Sequence, residues 1–273
     1  MSSTSDPAAP LACQHLSMTW VLDCDGVIWL ADDPIPGAVD AVSRLRASGE
    51  RVVFITNNSY PARADHLAKL ERMGMATADE DLITSAGAAA TLLEAGERAL
   101  VLGGPGIFEA LRARDVEAIE PGTQRGEEEM AAVVVGFDLK FDFARLAAAT
   151  TALRNGARLI ASNDDATFPT SSGLLPGAGS FVAAVARAGG VEPTFAGKPY
   201  PPLVELVRTC VGKVDIVVGD RPSTDGELAV RLGARFALVL TGVTPPGHAP
   251  VTPMPSLEAA DLAALVGHAL AIR

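Results

Sequence analysis

Four polar segments of this chain carry residues that could do chemistry together: Asp23-Cys24-Asp25-Gly26, Thr56-Asn57-Asn58, Gly197-Lys198-Pro199, and Gly219-Asp220 with Asp225 five residues on. Three of them follow directly on apolar runs, Trp20-Val21-Leu22, Val52-Val53-Phe54-Ile55 and Ile216-Val217-Val218. In open α/β sheets ligands bind outside the carboxyl ends of the strands, so these segments are expected to share one crevice. Carboxylates crowded into a crevice repel one another. A divalent cation relieves the repulsion, and oxygen ligands of this kind suit the hard ion Mg2+.

A carboxylate beside Mg2+ can attack a phosphoryl group and form an acyl phosphate, which splits one hard displacement into two easier ones. Asp23 is the expected nucleophile. Asp25, two residues on and pointing to the same side, is the expected acid and base: it protonates the leaving alcohol, then takes a proton from the attacking water. Lys198 neutralises charge on both the phosphoryl group and Asp23, and Thr56, Asn57 and Asn58 are expected to bind phosphate at the start of a capped helix. Asp220 completes the metal shell, and Asp225 orients it or a metal-bound water from behind. Gly26 lets the backbone approach closely, and Cys24 points the other way as a small core residue.

These residues need a scaffold, and the pattern around them supplies one. A strand ends at Asp23, a helix with Val39, Val42 and Leu45 on one face follows, and Val52–Ile55 is the next strand: a βαβ unit. Parallel strands are covered on both faces, which is why the runs are continuously apolar. A second helix is expected with Ser59 as N-cap and Pro61 in its first turn. Further strands are expected at 99–102, 132–135, 159–161, 216–218 and 237–240, separated by helices such as 143–153 and 203–210. The four histidines, His15, His66, His248 and His268, stand apart without ligands at metal spacing and are expected at the surface.

With 273 residues the chain has room for about two domains. A hydrophobic content of 48% against 20% charged residues rules out wholesale disorder. The formal charge of −11 argues against a broad face for nucleic acid, and any anionic substrate must be met locally. Three scattered cysteines suggest neither a disulfide framework nor a zinc knuckle and fit a reducing cytoplasm. No apolar run approaches the ~18 residues of a membrane span, and residues 1–17 read as a flexible leader.

Through Asp23-Cys24-Asp25-Gly26-Val27, Phe54-Ile55-Thr56-Asn57-Asn58-Ser59, Gly197-Lys198-Pro199 and Val218-Gly219-Asp220-Arg221, the sequence resembles the haloacid dehalogenase (HAD) superfamily, subfamily IIA. Within it the chain is similar to the NagD-type, 4-nitrophenyl phosphate, phosphoglycolate and pyridoxal phosphate phosphatases. The resemblance implies a Rossmann-like parallel-sheet core over 18–85 and 190–273, with an inserted α/β cap over 86–189 that sets specificity. It also implies that Asp23 and Asp220 ligate Mg2+ by side chain and Asp25 by its backbone carbonyl. A small phosphorylated metabolite is the implied substrate, and pairing of two copies through the cap is implied with it.

Two segments depart from the family pattern. Asn163-Asp164-Asp165, with Thr167, is similar to the substrate-facing cap loop usually written Asn-Pro-Asp, but Asp164 stands in place of the proline. The loop reads either as substrate contact or as a chain of Asx-turns. In Asp220–Gly226, Pro222 stiffens the turn and Gly226 is expected to weaken the helix that follows. Two readings compete with a phosphatase: a receiver-like module whose aspartyl phosphate persists, and a catalytically idle protein that binds phosphate ligands.

Overall fold

The computed structural model describes residues 17–122, 129–170 and 173–271, so the leader expected over 1–17 lies, apart from Ser17, outside the described residues. Six parallel strands form the first sheet, in the spatial order Leu257–Ala259, Arg235–Val239, Ile216–Gly219, Thr19–Asp23, Arg51–Thr56, Leu82–Thr84. Counted along the chain within this sheet the order is 3-2-1-4-5-6, the doubly wound arrangement whose crevice opens where the winding reverses. That reversal lies between Thr19–Asp23 and Ile216–Gly219.

The continuously apolar strands are explained by helices on both faces. Trp20, Leu22, Phe54 and Val218 pack with the helices Ala38–Ala47 and Leu262–Ala271, while Val21, Val53, Ile55 and Val217 pack on the other side with Ser85–Ala90, Pro201–Cys210 and Glu227–Leu232. Alternate residues serve opposite faces, as a pleated strand requires.

A second sheet of five parallel strands is inserted between the two halves of the first, in the order Thr194–Phe195, Arg158–Ala161, Ala132–Val135, Arg98–Leu102, Glu117–Ile119. Its last strand changes the expected boundary at 189. Thr194 and Phe195 pair with Ile160 and Ala161, so the second sheet takes a strand from the chain before it returns at Gly197. One face of this sheet packs on the helices Phe143–Arg154 and Ala178–Gly189. The other face presents Ala99, Val101, Val134 and Ile160 to the same apolar cluster that holds Val21 and Val53 of the first sheet. The two units therefore share this cluster, while each keeps a further one of its own on its other face.

The segment after Arg51–Thr56 also differs from expectation. The helix runs Arg63–Arg72 with Ala62 at its cap, and Ser59 and Pro61 lie before it. The residues ahead of it are claimed by the second unit: Gly106 N donates to Tyr60 O at 3.0 Å, and the Ser59 and Ser162 hydroxyls bond at 3.0 Å. A Cβ at Gly104 would lie 2.4 Å from the Tyr60 ring, so only glycine permits this approach. Among the described residues no helix is long and apolar enough to cross a membrane.

A shared core predicts one cooperative unfolding transition in calorimetry. Val101→Ala, on the shared face, should lower that single transition by removing about 1–3 kcal/mol of packing. Two resolved transitions, only one of which moves, would contradict the shared core.

Candidate active site

Asp23 is the last residue of its strand and Asp220 follows the neighbouring strand, so the switch of winding sets two carboxylates side by side. Lys198 arrives on the segment that returns from the second sheet. Its ammonium donates to Asp23 Oδ1 at 2.6 Å and to Asp225 Oδ1 at 2.7 Å, with the lysine 2% and Asp225 0% exposed. Asp225 Oδ2 accepts from the Arg221 backbone N–H at 3.1 Å, so both of its oxygens are committed to positioning. Ligand oxygens of Asp23, Asp220 and Asp225 lie within 4.8 Å of one another.

The turn Pro222–Gly226 makes this geometry possible. It carries Asp225 under Gly219, where a Cβ would stand 2.1 Å from the Asp225 carboxyl carbon. Gly226 is itself helical, in the turn that runs straight into Glu227–Leu232, and Pro253 packs where a side chain would stand, 2.7 Å from the position of a Cβ. Asp220 Oδ2 accepts from Val243 N at 2.5 Å and sits in a cradle of glycine: a Cβ at Gly242 would lie 1.9 Å from it and one at Gly26 2.7 Å.

Burial dominates the electrostatics. It pushes the Asp23 carboxyl well above its ordinary range, opposed by Lys198 and reinforced by Asp225 and Asp220. Asp220 is pushed up to about 6, by burial first and by Asp225 next. Burial would lower the ammonium of Lys198, but Asp225 and Asp23 outweigh it and hold the group charged. One cation is thus shared among three buried carboxylates, a surplus of negative charge that favours a further cation. Cys24 is fully buried and its thiol is pushed up by burial, as a core residue's should be.

The Asp25 carboxyl is held by two donors, Trp29 Nε1 at 3.0 Å and the Thr56 hydroxyl at 3.3 Å. Thr56 is fully buried and also accepts from Asn58 N at 3.0 Å, so its side chain serves Asp25 and the loop rather than reaching the cleft. Asn57 lines the cleft and is held at both ends of its side chain: its amide donates to Asp165 Oδ2 at 3.0 Å and to Lys198 O at 3.3 Å, and its Oδ1 accepts from Lys198 N at 2.8 Å. The expected helix N-terminus for phosphate is absent here, because the helix starts only at Arg63. Asn58 lines the cleft, and its Oδ1 accepts from Tyr60 N at 3.1 Å.

The loop from the second unit closes over these groups. Asn163 donates to Asn57 O at 2.8 Å, and its Oδ1 accepts from Asp165 N at 3.1 Å, a single Asx-turn. Asp165 accepts from Asn57 and forms an ion pair with Arg221 at 2.5 Å, while Asp164 accepts from the Tyr200 hydroxyl at 2.5 Å. Burial raises the Asp165 carboxyl and Arg221 counters it. Asn163, Asp164 and Asp165 thus bond to residues of the first unit, and Asn163, Asp165 and Thr167 all line the cleft. The cleft has a volume of about 150 Å3, with Phe137 and Phe168 from the second unit opposite Asp23 and Asp25.

Sequence reasoning left Arg221 and Trp29 without roles, and it set His66 at the surface. His66 is buried, its Nε2 is 3.3 Å from Asn58 O, and burial lowers its proton affinity. The signal for Trp29 was its spacing of four from Asp25 in a tight loop; His66 and Arg221 had none short of the tertiary fold.

The raised Asp220 carboxyl gives a pH test in chelator-treated protein. Because its folded value of about 6 exceeds the ordinary one near 4, the folded chain holds the proton more tightly than the unfolded chain. The stability this confers is complete below about pH 4 and is lost as pH rises through about 6. Asp220→Asn has no such loss, so its stability relative to the parent should rise by on the order of 2 kcal/mol between pH 4 and pH 7. Chemical denaturation across that range reads the difference; a gap independent of pH would contradict the burial argument.

Known proteins agree with this architecture. A family model described as haloacid dehalogenase-like hydrolase matches residues 20–117, and a second, HAD-hydrolase-like, matches 195–265. The D-glycerol 3-phosphate phosphatase of Mycobacterium tuberculosis is 38% identical over 228 residues, covering 82% of this chain and 63% of that relative, so the chain spans under two thirds of its length. Mouse chronophin is 37% identical over 240 residues, with 82% of this chain and 81% of the relative covered. The crystal structure of the M. tuberculosis glycerol phosphate phosphatase in complex with magnesium superposes with a TM-score of 0.81 at 36% identity, over 91% of this chain and 77% of that one. Identity at this level across four fifths of a relative's length, on a doubly wound core with an inserted α/β unit, shows that the chain belongs to the haloacid dehalogenase-like hydrolases.

Proposed function

We propose that this protein is a Mg2+-dependent phosphatase that hydrolyses a small phosphomonoester through a phosphoaspartyl intermediate on Asp23. The observation that carries the reading is the buried Lys198 ammonium, fixed between Asp23 and Asp225 beside Asp220 at the switch of winding. The donor set fits a hard divalent ion, because the carboxylates outnumber the one cation among them and the glycine cradle leaves no room for another side chain. Asp23 and Asp220, with the backbone carbonyl of Asp25, would hold the ion, and Asp225, whose oxygens meet Lys198 and the Arg221 N–H, would position the group from behind. When bound, the ion would supply positive charge to the phosphoryl oxygens and to the crowded carboxylates.

The residues of the chain account for the bonds made and broken. An Asp23 carboxylate oxygen attacks phosphorus as the ester P–O bond breaks, and Asp25 gives its proton to the departing alkoxide. Asp25 then takes a proton from water as that water attacks the phosphoaspartate, releasing orthophosphate and restoring Asp23. Lys198 offsets charge on Asp23 and on the transferred group throughout, and Asn57 keeps Lys198 in place through its backbone.

A cleft of about 150 Å3 supports a small phosphorylated metabolite as substrate. Specificity is assigned to the second unit over the expected 86–189 and the strand after it, through Thr167 and the Phe137–Phe168 pair, whose rings meet edge to face at 5.3 Å. A cytoplasmic location belongs to the proposal, supported by the unpaired Cys24 and Cys210. So does a homodimer through the cap, supported by Leu139 and Phe143, which are 69% and 85% exposed on that unit.

Asp23→Asn should lower phosphate release from 4-nitrophenyl phosphate by more than about 10³-fold while circular dichroism stays unchanged. EDTA should silence the parent chain, and added Mg2+ should restore it and raise its melting temperature. Turnover retained by Asp23→Asn would overturn the reading, and a phosphoaspartate that forms but persists would favour a signalling module instead.

A further inference from the structure

The carboxyl of Asp25 is gripped from two parts of the fold. The Thr56 hydroxyl, at the end of a core strand, donates to Oδ2, and the Trp29 indole N–H donates to Oδ1. The loop between Asp25 and Trp29 is closed on itself: Gly26 N donates to Trp29 O at 2.8 Å and Trp29 N donates to Cys24 O at 3.1 Å. Trp29 is only 2% exposed yet its ring borders the cleft. Lys69 stacks its ammonium over that ring, 4.3 Å from the centre, and donates to Ala31 O at 2.5 Å, so the cation is itself tied to the loop. A buried indole with its face covered by a fixed cation has little freedom to turn.

We infer that Trp29 is a positioning residue for the proton transfer carried out by Asp25; the inference rests on the phosphatase reading above. A carboxyl held only by Thr56 can rotate about its own bond to the side chain, and delivery of a proton depends on the donor meeting the leaving oxygen at hydrogen-bond distance. Trp29 removes that rotation. The transfer itself is unchanged: as an Asp23 oxygen bonds to phosphorus and the ester P–O bond breaks, the Asp25 O–H bond breaks and an O–H bond forms on the departing ester oxygen, which leaves as the alcohol. Good leaving groups need little of this help, and poor ones depend on it.

The consequence is read with substituted phenyl phosphates, which share one shape while the basicity of the phenol varies. The parameter is kcat/KM, which reports the steps through release of the phenol and not the later hydrolysis. Trp29→Phe keeps a ring but removes the N–H. It should reduce kcat/KM for unsubstituted phenyl phosphate at least about tenfold more than for 4-nitrophenyl phosphate, steepening the dependence on leaving-group basicity. A purely structural role would lower every ester by the same factor and leave the slope parallel to the parent's, which would overturn the inference.

Replacing the indole with benzothienylalanine, in which sulfur stands in place of the N–H, keeps the ring volume and provides the same comparison if the phenylalanine variant does not fold. Asp25→Asn is the reference. A steep slope for Asp25→Asn with a parallel slope for the Trp29 variants refutes the positioning role alone. A slope for Asp25→Asn as shallow as the parent's refutes the assignment of Asp25 as proton donor, and the inference falls with it.

Discussion

The site depends on one ammonium group buried between carboxylates. Lys198 is nearly inaccessible to water, and so are the Asp23 and Asp225 oxygens that it meets at 2.6 and 2.7 Å. Removing charges from water costs several kcal/mol per ion, and only close partners with satisfied hydrogen bonds offset it. The surrounding structure provides them. Asn57 fixes the lysine's backbone on both its N–H and its carbonyl, Arg221 N fixes the far oxygen of Asp225, and Gly219 and Gly242 leave room for the Asp225 and Asp220 carboxyls.

That arrangement ties the two units together. Lys198 reaches the core from the strand Thr194–Phe195 of the second sheet, and the Asn57 that positions it also receives Asn163 and contacts Asp165 from that unit. Arg221, next to Asp220, closes the same junction through Asp165. The catalytic geometry and the closure of the inserted unit therefore draw on the same few residues. The continuous apolar cluster behind them makes the junction part of the core and not a linker between independent domains.

Much of this was legible in the chain. Apolar runs ending in Asp23, Thr56 and Asp220 named the strands and the crevice, because burial on both faces forces continuous hydrophobicity and parallel winding sets strand ends on one side. Charge alone implied a cation among Asp23, Asp220 and Lys198. The sequence did not reveal what depends on contacts between distant segments. Asn57 and Thr56 read as phosphate donors, and nothing in the chain showed that their side chains also hold Lys198 and Asp25. Ser59 read as a helix cap, but Ser162 and the glycine-rich approach of the second unit claim its neighbourhood. His66 read as exposed because isolated histidines carry no local mark of burial.

The proposed activity turns on a single chemical event, transfer of the phosphoryl group to the Asp23 carboxylate. Rapid acid quenching of the turning-over enzyme, followed by peptide mapping in a mass spectrometer, tests it most directly. A phosphoryl adduct on the peptide containing Asp23, appearing before free phosphate and absent without Mg2+, is the expected result. An unmodified Asp23 peptide throughout turnover, or an adduct on another residue, would contradict the central claim.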